Sequence, residues 1–394
     1  MRRIGRLSAI RAFTAVAVAI GIATAIAMVL LWPGEVDARL GEAIVADSQK
    51  ATVERVEEFG CSGFATSTCQ DATIRLESGP QEGSRSRLRL GAGGLDPELE
   101  VGDEIRVVEN IVPPGAQDPS AGQRYSLSDF ERRQPMLFLA LAFCALVVLF
   151  GRARGALSLV GLALSLGVVL LFVVPAILDG KSPLAVAVVG ASAVMLATIL
   201  LAHGAGPKSL AAILGTAASL LVTAGLAVLF TDLTHLTGLA TEEATFVQAS
   251  QSGISLEGLL LAGMVIGALG VLDDVTISQA STVLALRSAN PTQGFRQLFG
   301  RAMTVGRDHV SATVNTLVLA YVGASLPLLL IFSSSSLGLV EALNLELIAK
   351  EVVATLVGSI GLISAVPITT ALAALLARHI PAEDLAGEQH VHAH

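Results

Sequence analysis

Apolar runs of about 20 residues recur along this chain, and they limit what it can become. The first is FTAVAVAIGIATAIAMVLLW, residues 13–32. Others occupy 135–150, 156–178, 183–202, 209–230, 255–280, 310–332 and 352–377. Inside hydrocarbon there is no water to bond, so each run must satisfy its own peptide groups, and a helix does that within the segment. Composition agrees: 15% of residues are charged, against about 25% in a soluble domain. The expectation is an all-α polytopic membrane protein with about eight transmembrane helices. The first run follows Arg2, Arg3, Arg6 and Arg11. Its continuation, WPGE, offers no A-x-A-like cleavage site, so it reads as an uncleaved helix rather than a signal peptide.

Eight spans make a topology that charge can test. With the N-terminus inside, the short cytoplasmic segments also carry Arg152, Arg154, Lys208, Arg287, Arg296, Arg301, Arg307 and Arg378. The short outer loops carry only Lys181 and Lys350. That asymmetry follows the positive-inside rule and puts both termini in the cytoplasm of a cell-membrane protein. The division is 1–34, a cytoplasmic N-terminus and first helix; 35–134, an extracytoplasmic segment; 135–378, seven further helices; and 379–394, a cytoplasmic tail containing His390, His392 and His394.

Residues 35–134 hold 19 Asp/Glu and 11 Lys/Arg, which accounts for the whole net charge of −8. ATVERVEE, DATIRLES, SRLRLG and DEIRVVEN alternate apolar and polar residues between Gly, Pro and Ser turns. Four or five such strands predict a small β domain, an OB-like barrel or a sandwich. Cys61 and Cys69 flank a Gly/Ser/Thr-rich loop on the oxidising side, and a disulfide is expected there. Metal binding is the alternative, but no His or second Cys pair lies nearby. Cys144 reads as a small core residue. No basic patch points to nucleic acid.

The sixth span, GLLLAGMVIGALGVLDDVTISQAS, carries adjacent carboxylates at Asp273 and Asp274. On a helix, Gly263, Gly267, Gly270, Asp274 and Ser278 share one face. Gly263 and Gly267 make the G-x-x-x-G spacing that lets two membrane helices approach closely, so this face is expected against protein, with Asp273 about 100° away. The apolar stretch from Ile254 to Leu286 would be about 50 Å long as a straight helix, so it either protrudes or breaks near Gly270. A carboxylate at membrane depth costs several kcal/mol unless paired, hydrated or protonated. That cost makes Asp273 and Asp274 candidates for binding a cation or exchanging a proton; capping the helix, or pairing with Arg301 or Arg307, is the structural alternative. His309 lies near the same interface, within reach of Asp274. Asn315 and Tyr321 sit inside the seventh apolar run, and Glu351 opens an eighth span that Pro367 should kink. Glu242 and Glu243 suit a short interfacial helix.

The stretches GLLLAGMVIGALGVLDDVTISQAS, GRDHVSATVNTLVLAYVGASLPLLL and LVGSIGLISAVPITTALAALL together resemble the YibE/F-like family of bacterial multi-pass membrane proteins, in its long actinobacterial form. The resemblance implies a permease-like protein and supplies no accepted site residues. Two classes of function follow. One is a permease, secondary transporter or channel-like, for an unknown small solute or ion and coupled to a cation or proton through the Asp pair. The other is an envelope scaffold or sensor that uses the outer domain to bind a partner. An enzyme is not expected: H-E-x-x-H and G-x-S-x-G are absent, as is a P-loop, and no cofactor, metal or catalytic residue is assigned. The partners expected are the lipid bilayer, the solute and a second copy in a homo-oligomer.

Overall fold

The computed structural model describes residues 2–34, 48–60, 68–90, 97–110, 124–251, 253–334 and 338–380. The chain divides into two compact units, Asp37–Leu146 and Met1–Val36 with Val147–His394. The histidine-containing tail and Cys61 lie outside the described residues.

In the smaller unit the described strands are β1 (Gln49–Gly60), β2 (Thr68–Leu76), β3 (Arg85–Leu90), β4 (Glu104–Glu109) and β5 (Tyr125–Phe130). They form one antiparallel sheet in the order β3-β2-β1-β4-β5. Alternation supplies its core, because successive side chains point to opposite faces. Val53, Ile74, Leu88, Ile105, Val107 and Tyr125 gather on one face and are buried. Register shifts between Val53 and Arg55, and between Arg106 and Val107, add twist. The sheet curls until β3 and β5 approach one another, a half-barrel without ladder bonds across the gap. Gln70 anchors the approach to β4: its side chain accepts from the Leu99 N–H at 2.8 Å and donates to the Leu99 carbonyl at 3.3 Å. Four strands were anticipated by name; the fifth, YSLSDF, was not, because only Tyr125 in it is fully buried. Cys69 is buried in β2 opposite Phe59. Its expected pairing with Cys61 falls outside the described residues.

The sheet's other face is charged. Glu54 takes Arg85 at 2.6 Å and Arg75 at 3.0 Å. Arg106 reaches Glu131 at 3.2 Å. The Arg85 hydrogen bond holds the Glu54 carboxyl below its ordinary range. Glu131 is lowered first by the Arg133 backbone N–H and then by Arg106.

The larger unit, with the helix leading into it, is helical. α1 spans Arg2–Leu30, α2 Arg133–Leu178, α3 Pro183–His203, α4 Pro207–Leu233 and α5 Glu242–Ser250. α6 spans Leu256–Ala289, α7 Phe295–Ala324, α8 Leu326–Ser334, α9 Leu339–Asn344 and α10 Glu346–Ala377. Among the described residues six helices are long and apolar enough to cross a membrane, namely α1, α2, α3, α4, α6 and α10. A seventh is made if α7 and α8, bent by 64°, count together. The runs expected at 135–150 and 156–178 both lie in α2, which is broken at Arg152 (φ 50°, ψ −132°). Beside the break, a Cβ on Gly155 would stand 2.1 Å from the Val147 carbonyl oxygen; an unbroken helix holds residues eight apart about 12 Å away. A π-helical turn, Val169–Val173, lies further along. α6 runs unbroken, so the break anticipated near Gly270 is absent: glycine costs a helix only about 1 kcal/mol.

α6 sits at the centre, packed by α3, α4, α7 and α10. Its inward face is Ala262, Val265, Leu269, Leu272, Thr276 and Gln279. Thr276 and Thr216 of α4 bond hydroxyl to hydroxyl at 2.6 Å. Gln279 donates to the Ala302 carbonyl at 3.0 Å and the Thr370 hydroxyl at 2.7 Å. The tightest crossing is α4 on α10. Thr369 of α10 fills the notch at Gly215, and Thr223 of α4 fills the one at Gly361. A Cβ at these glycines would stand 2.1 and 2.0 Å from the threonine hydroxyl oxygens. Close approach therefore comes from this reciprocal pair.

Gly215→Val or Gly361→Val is expected to destabilise the purified protein by about 1–3 kcal/mol, the usual cost of overpacking. Gly225→Ala, on the same α4 with nothing within 4 Å, should be neutral or better. Denaturation in detergent measures all three. A second expectation concerns acid. Carboxyls depressed on folding contribute stability that is complete above the unfolded value, about 4.3 for Glu, and lost as pH falls through the lower folded value. Hydrogen-exchange protection of the β4–β5 ladder, corrected for intrinsic rates, should hold from neutrality to about pH 5 and fall below about pH 4.

Candidate functional site

α6 presents three different faces because its sequence places residues of three kinds 100° apart. The inward face is aliphatic with Thr276 and Gln279. The outward face is Gly263, Gly267, Gly270, Asp274 and Ser278, all exposed. Asp273 lies between them, half-buried. The sequence reading has the glycine face against protein; within this chain no helix packs closely on it, and Gly263 and Gly270 line cavities instead. A Cβ at Gly263 or Gly270 would meet nothing within 4 Å, and one at Gly267 only the Tyr321 hydroxyl at 3.7 Å. The packed side is taken instead by larger aliphatic side chains and by Thr276 and Gln279, which supply the van der Waals contacts and interhelical hydrogen bonds that hold helices together in lipid.

Asp273 is the focus. Its Oδ2 accepts a hydrogen bond from Thr198 Oγ1 of α3 at 2.8 Å. Its Oδ1 is buried without a hydrogen-bond partner. Both aspartates line a cavity of about 510 Å³ between α2, α3 and α6. Its walls are mainly apolar, with Ser158 and Ser165 of α2, Thr198 and His203 of α3, and Gly270 contributing polar groups or bare backbone. The Ser158 and Ser165 hydroxyls bond back to the carbonyls of Gly155 and Gly161. His203 Nδ1 lies 3.1 Å from the Lys208 ammonium. Asp274 is more open, and His309 of α7 acts on it electrostatically.

A second cavity, about 380 Å³, opens between α5, α6, α7 and α10. Gly263, Tyr321, Glu243, Lys350 and Glu351 line it. Glu351 is half-buried and pairs with Lys350 at 3.5 Å. Gly263 therefore belongs to one cavity and Gly270 to the other, about 10 Å apart along the helix, with Gly267 and the Tyr321 hydroxyl between them. The glycine face thus contributes one residue to each of two carboxylate-bearing cavities.

Of the residues expected at the site, Asp273, Asp274 and Gly270 come together in the first cavity, and Glu351 and Gly263 in the second. Ser278, His309 and Asn315 line neither; each is uncovered on its helix. Thr198 was not anticipated. A helical threonine ordinarily bonds the carbonyl four residues back, so nothing in MLATILLAH marks it as a partner for a distant carboxylate. Among the described residues no three His, Cys, Asp or Glu side chains group as metal ligands.

The sequence profile of the YibE/F-like protein family matches residues 139–379, which contain both cavities. No curated protein and no solved structure matches the chain.

Proposed function

The chain belongs to the YibE/F-like protein family, and on its site geometry we propose that it is a membrane permease, secondary transporter or channel-like, for a small solute or ion. The observation that carries this reading is Asp273: a carboxylate within an apolar helix, one oxygen tied to Thr198 and the other buried without a partner, facing a cavity. Such a group is costly at membrane depth, and the cost is recovered only if its charge is used or neutralised. The bare glycine floor toward Glu351 gives a solute or ion a low-profile route between the two cavities. Coupling to a proton or small cation runs through the Asp pair. No reaction chemistry is assigned.

The membrane placement in this reading has eight spans, with α2 counted twice about Arg152 and α7–α8 once. As one straight helix α2 would be about 69 Å long, more than twice the hydrocarbon core. Breaking it at Arg152 sets Arg152 and Arg154 on the same side as Arg2–Arg11, which the positive-inside rule assigns to the cytoplasm. The β unit is then extracytoplasmic. Its strand order, closed between β3 and β5, would complete an OB-like barrel. In that oxidising compartment Cys61 and Cys69 form a disulfide. The uncovered glycine face also suits a second copy, as a G-x-x-x-G surface does. Nucleic acid has no part in this reading.

Purified protein in liposomes, assayed against ions and anionic metabolites at two pH values, should show saturable or pH-dependent flux. Asp273→Asn should reduce it about tenfold or more, the scale of one lost charge-assisted contact. Flux unchanged in a well-folded Asp273→Asn variant would remove the basis for the permease and favour a scaffold acting through the β unit. Mass spectrometry after alkylation without reductant should find Cys144 modified and the Cys61–Cys69 peptides linked.

A further inference from the structure

Thr198 has one hydroxyl hydrogen and three acceptors in reach. Its Oγ1 lies 2.9 Å from the Val194 carbonyl, 3.1 Å from that of Met195 and 2.8 Å from Asp273 Oδ2. A carbonyl only accepts, whereas a carboxyl accepts when ionised and donates when protonated. The short contact to Asp273 therefore has two hydrogen arrangements. With Asp273 ionised, Thr198 donates to Oδ2. With Asp273 protonated at Oδ2, the carboxyl donates to Thr198 Oγ1 and the threonine hydrogen turns to Val194 or Met195. No bond at Thr198 forms or breaks; the hydroxyl rotates, and the only species gained or lost is one proton exchanged between solvent and Asp273.

We propose that Asp273 is the proton-carrying group of this cavity and that Thr198 is the positioning residue that accommodates both of its protonation states. The inference deepens the permease reading, and its role in coupling rests on that reading. Oδ1 favours a proton over a larger cation as the species exchanged. It is buried without a hydrogen-bond partner, and among the described residues the carboxylate's one side-chain hydrogen bond comes from Thr198, where a calcium or magnesium ion takes about six or more ligands. On α6 the neighbouring titratable group is Asp274. From α3, His203 lines the same cavity with Lys208 of α4 beside it. From α7, His309 faces Asp274. The α2 wall brings Ser158 and Ser165, and no titratable residue of α10 lines this cavity among the described residues.

Infrared difference spectra of the full-length protein in lipid bilayers, titrated with pH, test this without knowledge of the solute. A protonated-carboxyl C=O band is expected that vanishes in Asp273→Asn and persists in Asp274→Asn. Thr198→Val keeps the shape and removes the donor. Because the bond to an ionised acceptor is the stronger one, the protonated-to-ionised ratio of Asp273 at a given pH should rise about tenfold. Thr198→Ser should restore wild-type titration, which a purely structural role for the threonine would not require. A band unaffected by Asp273→Asn, or identical titration in Thr198→Val and wild type, overturns the proposal. Absent flux with these spectral shifts intact would instead overturn the permease reading alone.

Discussion

A peptide group in hydrocarbon has no partner unless the chain supplies one, and that constraint organises the larger unit. It makes the long segments helical and keeps them so: α6 runs 34 residues through several glycines without breaking, and α10 runs 32 residues with Pro367 inside it. Where α2 does break, at Arg152, the segment is interrupted by a charged residue rather than at one of its apolar positions. Once the backbone is satisfied within each helix, the arrangement of the bundle is left to side-chain shape and to the few polar groups that helices share.

Shape dominates where α4 meets α10. Two threonines fill two glycine notches, one on each helix, so the crossing has a defined depth and register. Around α6 the polar contacts take over. Thr216 with Thr276, Gln279 with Thr370 and the Ala302 carbonyl, and Thr198 with Asp273 tie it to four different helices. With these contacts made on its inward side, the central helix is left less closely packed on the other, where the glycines and Asp274 lie and contribute to the two cavities.

The chemistry of the site follows from that asymmetry. Asp273 is half-buried, with one oxygen bonded to Thr198 and the other without a hydrogen-bond partner. Glu351, in the other cavity, has Lys350 beside it and so carries less uncompensated charge. The two acidic positions are therefore unlike: Asp273 is met by Thr198 from another helix, and Glu351 by Lys350 from its own.

Much of this was legible in the sequence. Apolar length gave the helices, alternation gave most of the strands, and an Asp pair in a greasy run pointed to residues that the structure places at a cavity, because each is a local consequence of solvent and of the repeat of the backbone. β5 escaped notice because Tyr125 is its one fully buried residue. Within this chain no helix packs closely on the glycine face, since G-x-x-x-G spacing says that helices can approach there and not that they do. Which glycines are filled, which threonine reaches Asp273 and which carboxylate keeps an unpartnered oxygen depend on residues 75 or more positions apart meeting across a helix crossing. Periodicity along one helix fixes its faces; only packing among several helices decides which face is covered, because the burial gained by one pairing is weighed against all the others.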